Sequence, residues 1–478
     1  MANAKPVKIL EIAGNNWMGG ISLHPNIAVG GLFRSASNFD PFERIGVYKP
    51  TVAPTQRGSA TISTAGAFNV GFSSGSISYF YSFGNSSAVY RVKTIDATVT
   101  NQSAQISGIT TIRGAAKFKS RILYANDSTV KANALILALG SEVNILTGLN
   151  TANHVMQIAP DRNLYLTNLN SIGRITNIAG TSGNSATYLT FEDDVVTRDL
   201  CTDGKHLVIL GDRNELVPGS LGRFSCFVAF WNMKSQDLTQ YWEFEDNAIY
   251  GMEAVEDEII VFGSDNIYIC SVNAQPRPLM LLRGIANITS GNIPVGSITR
   301  RGNGQVLWSI QGKVYGYGRV HSSLPKILFQ PYSLDSGNVT SLFTDGATTW
   351  AMSDENKLFD FSFGSRNSST LFLTDVDFKI PYRFAFAKVV LQVPLSSGLS
   401  VDLQISSQDG NKLITTNQSF DFATYGAKSS HIYYPKPLAT SQAILFEEMV
   451  DFRITNTKTA VRRFEVWAYP VEPAQNLG

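Results

Sequence analysis

The chain has 478 residues, 44% of them hydrophobic, so it is long enough to bury a large core and we expect more than one domain. Lys and Arg total 39 against 38 Asp and Glu, and this net charge of +1 argues against a general attraction to nucleic acid, anionic membranes or acidic substrates. Only 16% of the residues are charged, a composition that suits strands, tight turns and broad assembly surfaces.

The first segment, residues 1–57, carries scattered Gly and Pro with little hydrophobic periodicity. We expect it to be extended and to pack along other elements or subunits rather than to form a free domain. Its start, MANAKPVKILEIAGNNW, lacks the continuous apolar core of a signal peptide. No apolar stretch of the chain approaches the length of a membrane span, so we expect neither secretion nor membrane insertion.

A repeat of short β-branched or aromatic runs follows between residues 58 and 381. The runs are ISYFY, RILYA, NLYLT, HLVIL, EIIVF, QVLWS and TTWAM. Successive spacings are 43, 42, 43, 52, 47 and 43 residues between the anchors Tyr79, Ile122, Leu164, Leu207, Ile259, Val306 and Thr349. This period matches the roughly 40 to 50 residues of a β-propeller blade. We therefore predict an all-β fold with a propeller of about seven blades, whose stacking covers the faces that one blade cannot bury alone.

Several of these runs turn back after a polar tip as a second strand: FGSDN into IYIC, IQGK into VYGY, SDENK into LFDF, and SFGNSSA into VYRV. Gly and Asn supply the positive φ angles that such hairpin turns need. Aromatic residues at the second returning position can fill the space between neighbouring blades, namely Tyr90, Tyr268, Tyr315 and Phe359. The longest spacing coincides with LVPGSLGR, which we interpret as an inserted loop. The alternative is an all-β chain without a propeller, since turns recur every roughly 8 to 12 residues in any such chain.

After residue 381 the repeat stops and the strands lengthen. Apolar and polar residues alternate in LSVDLQISSQ and around Phe452, which is typical of sheets with one solvated face. We therefore expect a β-sandwich-like domain at the C-terminus. The predicted domains are an extended segment over 1–57, a propeller over 58–381 and a β-sandwich over 382–478.

The sequence contains no spacing that is typical of a metal or cofactor site, so we predict no metal-ligating or cofactor-binding residues and no cofactor. The five histidines are widely separated: His24, His154, His206, His321 and His431. The three cysteines lie in or beside apolar runs and are interpreted as buried thiols of a reducing compartment: Cys201, Cys226 and Cys270.

We also predict no catalytic residues. A G-x-S-x-G pattern at Gly71–Gly75 has the form of a hydrolase nucleophile elbow, but that motif needs a strand leading into a helix, and here it lies between β-like runs. Acidic groups occur at 193–194, 256–258 and 447–448, where solvated turn charges are commoner than the paired carboxylates of a glycosidase. The basic residues are dispersed, which argues against a nucleic-acid groove. A structural or binding role is therefore favoured over an enzyme.

The stretch from Gly19 to Pro50 resembles the opening of the tail tubular, or nozzle, proteins of short-tailed bacteriophages. Those begin with a similar Gly-Ile/Val-Ser, then Pro, then Asn, then Gly and a basic residue before Pro. The matching positions are Gly20, Ile21, Ser22, Pro25, Asn38, Gly46, Lys49 and Pro50. The resemblance covers about 30 of the 478 residues. The nozzle family is also β-rich with a propeller-like region, and the chain is nearer in size to the tail hub proteins of other short-tailed phages.

The resemblance implies a structural virion protein of the tail, assembled in the host cytoplasm. It implies a homo-oligomeric ring, commonly a hexamer, that extends the DNA ejection channel below the portal and the head–tail adaptor, with tail fibre or spike proteins as further partners. We expect only weak, non-specific contact with passing DNA, because strong phosphate neutralisation would impede ejection. A weakly charged surface suits the broad, closed interfaces of a ring.

Two other functions compete with this one. A carbohydrate-binding propeller that recognises a host receptor is suggested by the aromatic residues Trp231, Trp242, Trp308 and Trp350, although blade packing also explains them. A propeller glycosidase has the least support, since no carboxylate pair is identified.

Overall fold

A computed structural model describes most of the chain. The described residues are 5–13, 16–17, 33–45, 47–57, 62, 67–84, 86–106, 108, 111–216, 224–281, 293–294, 296–302, 304–345, 348–361, 368–377, 382–407, 418–434, 445–446 and 449–470. They divide into two compact units, the first over 1–53, 315–333 and 363–478, and the second over 54–314 and 334–362. None of the helices in these residues has the length and apolar composition needed to cross a membrane.

The described residues form mainly β-strands. The first group is β1 (Val7–Ala13), β2 (Phe33–Ser37), β3 (Thr55–Gln56), β4 (Phe68–Ser74), β5 (Ile77–Phe83), β6 (Val89–Lys93), β7 (Val99–Asn101), β8 (Gly114–Phe118), β9 (Arg121–Ala125), β10 (Thr129–Ala134), β11 (Val143–Thr147), β12 (Met156–Ile158), β13 (Leu164–Asn168), β14 (Ser171–Ile175), β15 (Ser185–Thr190), β16 (Val195–Thr202), β17 (Leu207–Leu216), β18 (Phe224–Trp231) and β19 (Gln240–Asp246).

The second group is β20 (Ile249–Val255), β21 (Glu258–Gly263), β22 (Asn266–Ser271), β23 (Ala274–Leu281), β24 (Ile298–Arg301), β25 (Gln305–Ile310), β26 (Lys313–Gly318), β27 (Ile327–Ser333), β28 (Val339–Asp345), β29 (Thr348–Ser353), β30 (Leu358–Asp360), β31 (Ser368–Asp377), β32 (Tyr382–Leu391), β33 (Ser400–Ser407), β34 (Gln418–Asp421), β35 (Ser430–Tyr433), β36 (Leu445–Phe446), β37 (Met449–Thr457) and β38 (Val461–Pro470). The described residues also include a 3-10 turn at Ser103–Gln105 and the short helix α1 (Phe422–Tyr425).

Seven of the sheets formed by the described residues have four strands each. Their strand orders are β4-β5-β6-β7, β8-β9-β10-β11, β12-β13-β14-β15, β16-β17-β18-β19, β20-β21-β22-β23, β24-β25-β26-β27 and β28-β29-β30-β3. Six are therefore simple meanders of consecutive strands. The last one takes its fourth strand, β3, from the N-terminal segment.

The first strands of these sheets follow one another in a closed ring, and we call them the inner strands. The contacts run in the order β4, β8, β12, β16, β20, β24, β28 and back to β4. A meander of four strands whose first strand lies at a common axis is the architecture of a β-propeller. The predicted propeller fold is therefore confirmed.

The second strands carry the sequence repeat. Each of the seven predicted runs forms the second strand of a different four-stranded sheet: β5, β9, β13, β17, β21, β25 and β29. In β13, for example, Leu164, Tyr165 and Leu166 are completely buried. Such strands are apolar on both faces because a neighbouring sheet covers each face.

The predicted hairpins are also present. β5 pairs with β6, β21 with β22 and β29 with β30, all antiparallel. Two of the predicted aromatic residues pack between sheets: Tyr90 lies in an apolar cluster with Trp350 and Met352 of β29, and the ring of Tyr268 lies 4.9 Å from that of Phe244 on β19. The inserted loop predicted around LVPGSLGR lies mostly outside the described residues.

The first unit contains two five-stranded sheets. One has the order β1-β38-β32-β35, with β36 also paired to β32, and the other has the order β2-β31-β37-β33-β34. Side chains join their facing sides: the hydroxyl of Tyr433 on β35 donates a 2.7 Å hydrogen bond to the carbonyl of Val401 on β33, and the rings of Phe452 and Phe464 lie 6.5 Å apart. This arrangement is the expected β-sandwich-like domain.

The N-terminal segment is distributed over three sheets. β1 and β2 are edge strands of the two sheets of the sandwich, and β3 is the edge strand of the last propeller sheet. β31, before residue 382, also belongs to the sandwich, where it pairs with β2 and β37. The sandwich is thus built from more than the C-terminal segment, and the boundaries 57/58 and 381/382 stay a prediction.

Candidate functional site on the inner strands of the propeller

The described histidines lie apart and have separate structural partners. The Nδ1 atom of His154 lies 2.7 Å from the carbonyl oxygen of Thr167, and that of His206 lies 2.9 Å from a carboxylate oxygen of Asp203. His431 stacks on Phe420 at 4.9 Å inside the sandwich. His24 lies outside the described residues. Within the residues that the structure describes, no three His, Cys, Asp or Glu side chains gather in a way that could hold a metal ion.

The G-x-S-x-G pattern lies in a hairpin. Ser73 is at the exposed end of β4, and the chain turns at Gly75, with a φ of +62°, directly into β5. The hydroxyl of Ser73 lies 3.5 Å from that of Ser78. A strand–turn–strand context of this kind is the turn that the sequence predicted.

The three cysteines are buried thiols, as predicted. They belong to one apolar cluster between the sheets of β16–β19 and β20–β23. Burial raises the pKa of Cys226 and of Cys270 to about 12. Burial, together with nearby acidic groups, also raises the pKa of Cys201 well above its ordinary value. Thiols in such surroundings are protonated and unreactive at neutral pH.

The described acidic groups named from the sequence lie at turns, except Glu258, which is the first residue of β21. Asp194 and Glu192 both accept hydrogen bonds from the Arg213 guanidinium, at 2.8 and 2.6 Å. Glu256 lies in the turn between β20 and β21 with a φ of +57°. The pair at 447–448 lies outside the described residues.

Two other carboxylates lie on inner strands, where the sequence predicted no site. Asp199 on β16 reaches across to β20 and accepts a 2.6 Å hydrogen bond from the backbone N–H of Met252, as well as a 2.7 Å bond from the N–H of Leu200. Glu253, the next residue on β20, accepts a 2.9 Å bond from the N–H of Ala254. Both carboxylates are partly buried.

The backbone makes room for this contact. The register of β16 shifts between Thr197 and Asp199, and that of β20 shifts between Ile249 and Gly251. Both of these inner strands are therefore irregular at the contact. Such bulges re-aim a side chain relative to the regular alternation. A Cβ atom on Gly251 would lie 2.8 Å from a carboxylate oxygen of Asp199, so the absent side chain permits the approach.

The electrostatics of these carboxylates are set by burial. Burial raises the pKa of Asp199 to about 7; the two backbone hydrogen bonds oppose this increase and the charge of Glu253 adds to it. Burial also raises the pKa of Glu253, against the effects of its backbone hydrogen bond and of the positive charge of Arg300 on β24. The site can therefore bind or release a proton close to neutral pH. Sequence reasoning missed it because the bulges and the partner strand are set by tertiary pairing.

The tryptophans that suggested carbohydrate binding are mostly inside the protein. Trp231, Trp308 and Trp350 are buried, and Trp242 is partly buried, with its indole N–H donating a 3.0 Å hydrogen bond to the carbonyl of Ser271. The three buried rings pack between strands and present no face to a sugar in solution.

The ring of sheets defines the chain as a β-propeller with an added β-sandwich unit. No protein-family model and no curated protein matches it. Among solved structures, it is similar to the computationally designed Ika8 protein, with 8% identity over 66% of this chain and 99% of that chain and a TM-score of 0.42. It is also similar to the Dos1 propeller, at 12% over 60% and 76% with a TM-score of 0.41, and to a virginiamycin B lyase from Staphylococcus aureus, at 10% over 65% and 98% with a TM-score of 0.42. Likenesses at this level carry no inference about function.

Proposed function

We propose that the protein is a structural virion protein, a ring-forming subunit of the tail nozzle or hub of a short-tailed bacteriophage. In this proposal the ring, a hexamer, extends the DNA ejection channel below the portal and the adaptor, carries tail fibres or spikes, and is assembled in the host cytoplasm. The role is architectural and requires no reaction.

The proposal rests on the N-terminal stretch that resembles nozzle proteins. Part of this stretch, around Asn38 and Pro50, forms a local loop that is held by hydrogen bonds and a β-bridge. Asn38 adopts a φ of +53°, which Asn tolerates better than most residues. Its carbonyl accepts a 2.8 Å hydrogen bond from the N–H of Thr51, and its side-chain oxygen accepts a 2.7 Å bond from the hydroxyl of Ser333. Pro50 forms a β-bridge with Phe39 beside it.

These contacts give a physical reason for two of the matched residues, Asn38 and Pro50, because both hold the same local loop. Lys49 precedes Pro50 in that loop. The other matched positions, Gly20, Ile21, Ser22, Pro25 and Gly46, lie outside the described residues. A weakly charged surface further supports assembly through broad contacts without large desolvation of charge.

The test is the assembly of the purified chain. Native mass spectrometry and cryo-electron microscopy should show a closed ring, and the chain should bind a head–tail adaptor added in the same preparation. A gel-shift assay with duplex DNA at physiological salt should show weak binding with a shallow salt dependence. A chain that stays monomeric at all concentrations and joins no tail component would count against the proposal.

We also propose that each four-stranded sheet is one blade, which gives a propeller of seven blades. The seven consecutive inner strands and their closed order of contacts support this number. An image of the propeller viewed along its axis should resolve seven radial sheets, and six or eight would contradict the count.

A further inference from the structure

Arg174 on β14 is a partly buried arginine that has no acidic partner among the residues the structure describes. It lies directly opposite Tyr165 on β13, so the two side chains project from the same face of the sheet. The Cζ atom of its guanidinium lies 3.8 Å from the centre of the Tyr188 ring on β15. Its Nε atom is buried and donates to no acceptor in the described part of the chain.

Other arginines of the propeller show what Arg174 lacks. The Nε atom of Arg113 donates a 2.6 Å hydrogen bond to the carboxylate of Asp127, and that of Arg198 donates a 2.6 Å bond to Asp212. A guanidinium that is partly removed from water needs such a carboxylate, because it otherwise loses hydration without compensation. The charge and the N–H donors of Arg174 therefore remain available to a ligand.

The surroundings of Arg174 fix its position. The ring of Tyr188 packs with those of Tyr165 and Trp231, whose centres lie 6.2 and 5.9 Å away. The side-chain amide of Gln236, from the neighbouring sheet of β16–β19, also donates a 3.1 Å hydrogen bond to the carbonyl of Tyr188. A guanidinium stacked on a fixed aromatic ring has already lost much of its rotamer freedom, so binding an anion costs little further entropy.

The chemistry of the site favours a carboxylate. The planar guanidinium matches a carboxylate in shape and balances its single charge. A phosphate dianion would leave excess negative charge in a region that already contains Asp161, whose carboxylate accepts a 2.8 Å hydrogen bond from the hydroxyl of Tyr165. Met233 and Leu238 are partly buried against the same aromatic cluster, and they offer apolar surface for the rest of a ligand.

We propose that Arg174, stacked on Tyr188, is a binding site for a carboxylate group. The carboxylate is supplied either by a small carboxylic acid or by an acidic side chain of a polypeptide, and it gives the guanidinium the counter-charge that the described chain does not provide. The site lies within the propeller unit and does not depend on the proposed role in a phage tail.

Nuclear magnetic resonance of the full-length protein, labelled with ¹⁵N at the Nε atoms of its arginines, tests this site. Sodium acetate added at constant ionic strength should shift the Nε–H resonance of Arg174 in a saturable way. The resonances of Arg113 and Arg198 should not move, because their Nε atoms already donate to carboxylates. The absence of a saturable shift, or tighter binding of inorganic phosphate than of acetate, would overturn the proposal.

A second probe, N-acetyl-glutamyl-leucine amide, distinguishes the two sources of the carboxylate. Its leucine side chain has the apolar surface of Met233 and Leu238 available to it. If the peptide binds at least about tenfold more tightly than acetate, the natural ligand is an acidic polypeptide segment. Equal affinities support a small carboxylic acid, and failure of both probes to bind would contradict the site.

Variants separate this site from general effects of charge. Arg174→Gln should abolish binding of acetate, and Tyr188→Leu should weaken it by about tenfold because the stacked ring is lost, with the backbone amide of Gln236 as the reporter. Tyr79→Leu is the matched control, since it removes a ring that lies 5.4 Å from the guanidinium of Arg91 in another sheet, and it should bind acetate like the wild type. Wild-type affinity in Arg174→Gln would overturn the proposal.

Discussion

At the residue scale, Asp199 makes the stability of the propeller depend on pH. Its pKa is raised from an ordinary 3.8 to about 7, chiefly by burial. Between these two values the folded state binds a proton that the unfolded state has already released. The free energy of unfolding therefore falls as the pH rises through this window, and the destabilisation is complete above it.

Replacing Asp199 by Asn should remove this dependence. The variant keeps a side-chain oxygen for the N–H of Met252 but carries no charge. Its free energy of unfolding relative to that of the wild type should therefore increase as the pH rises from about 4 to about 7. At most, the free energies of unfolding of the two proteins diverge by about 1.4 kcal/mol per pH unit, and partial exposure of Asp199 reduces this value. Urea unfolding at several pH values measures it, and Asp193→Asn, at an exposed turn, is the control. Parallel curves for wild type and Asp199→Asn would refute the assignment.

Gly251 is the second residue on which this contact depends. Gly251→Ala would place a methyl group 2.8 Å from Asp199 and 2.9 Å from Ile298, so we expect a loss of about 1 to 3 kcal/mol in the free energy of unfolding. Gly180 has open space around the position of a Cβ atom, so Gly180→Ala should be neutral or slightly stabilising. Thermal denaturation compares the two variants. Equal stability would contradict this prediction, because it would mean that β16 and β20 can move apart with no loss in the free energy of unfolding.

At the element scale, one buried carboxylate holds several turns together. Asp246, at the end of β19, accepts hydrogen bonds from the N–H groups of Ala248, Ser264 and Asp265 and from the hydroxyls of Ser264 and Tyr268. It therefore fixes both the connection from β19 to β20 and the turn between β21 and β22. The sequence gives no sign of this role, because the donors come from residues up to 22 positions away.

Asp246→Ala should consequently be one of the most damaging single changes in this sheet. It removes the acceptor of the N–H groups of Ala248 and Asp265 and of the Ser264 hydroxyl, whereas the Ser264 N–H and the Tyr268 hydroxyl keep backbone carbonyl acceptors. We expect a loss of about 3 kcal/mol. Asp161→Ala is the comparison, since Asp161 accepts from Asn163 and Tyr165 at an exposed turn and should cost about 1 kcal/mol. Chemical denaturation measures both. Similar losses in the two variants would mean that burial of the acceptor is unimportant.

The strands differ in how well the local sequence predicts them. The runs from ISYFY to TTWAM were identified as strands because an apolar run between polar turns is a local signal, and each proved to be the second strand of a sheet. β3 gave no such signal: Thr55 and Gln56 are a polar pair, and they form a strand only because β30 offers an open edge. β1 and β2 likewise depend on edges formed by strands more than 300 residues later.

At the scale of the whole molecule, the N-terminal segment protects three sheet edges at once. Removal of residues 1–57 would expose β38, β31 and β30 as unpaired edges, so we expect this truncated chain to aggregate or to unfold without a cooperative transition. Removal of residues 1–13 exposes only β38 and should leave the propeller folded. Size-exclusion chromatography and calorimetry of the two truncations distinguish these outcomes, and a soluble, cooperatively folding chain without residues 1–57 would contradict the prediction.

The sequence by itself determined the all-β class, the period of the propeller, the hairpins and the burial of the cysteines. These features depend on neighbours in the chain and on apolar patterns that repeat locally. Tertiary structure alone decided which strand closes the ring, which strands complete the sandwich, and where Asp199 meets Met252. Each of these depends on a pairing between segments that are distant in sequence. Such a pairing is made by backbone N–H and carbonyl groups, which almost every residue has, so the side chains of the sequence do not indicate it.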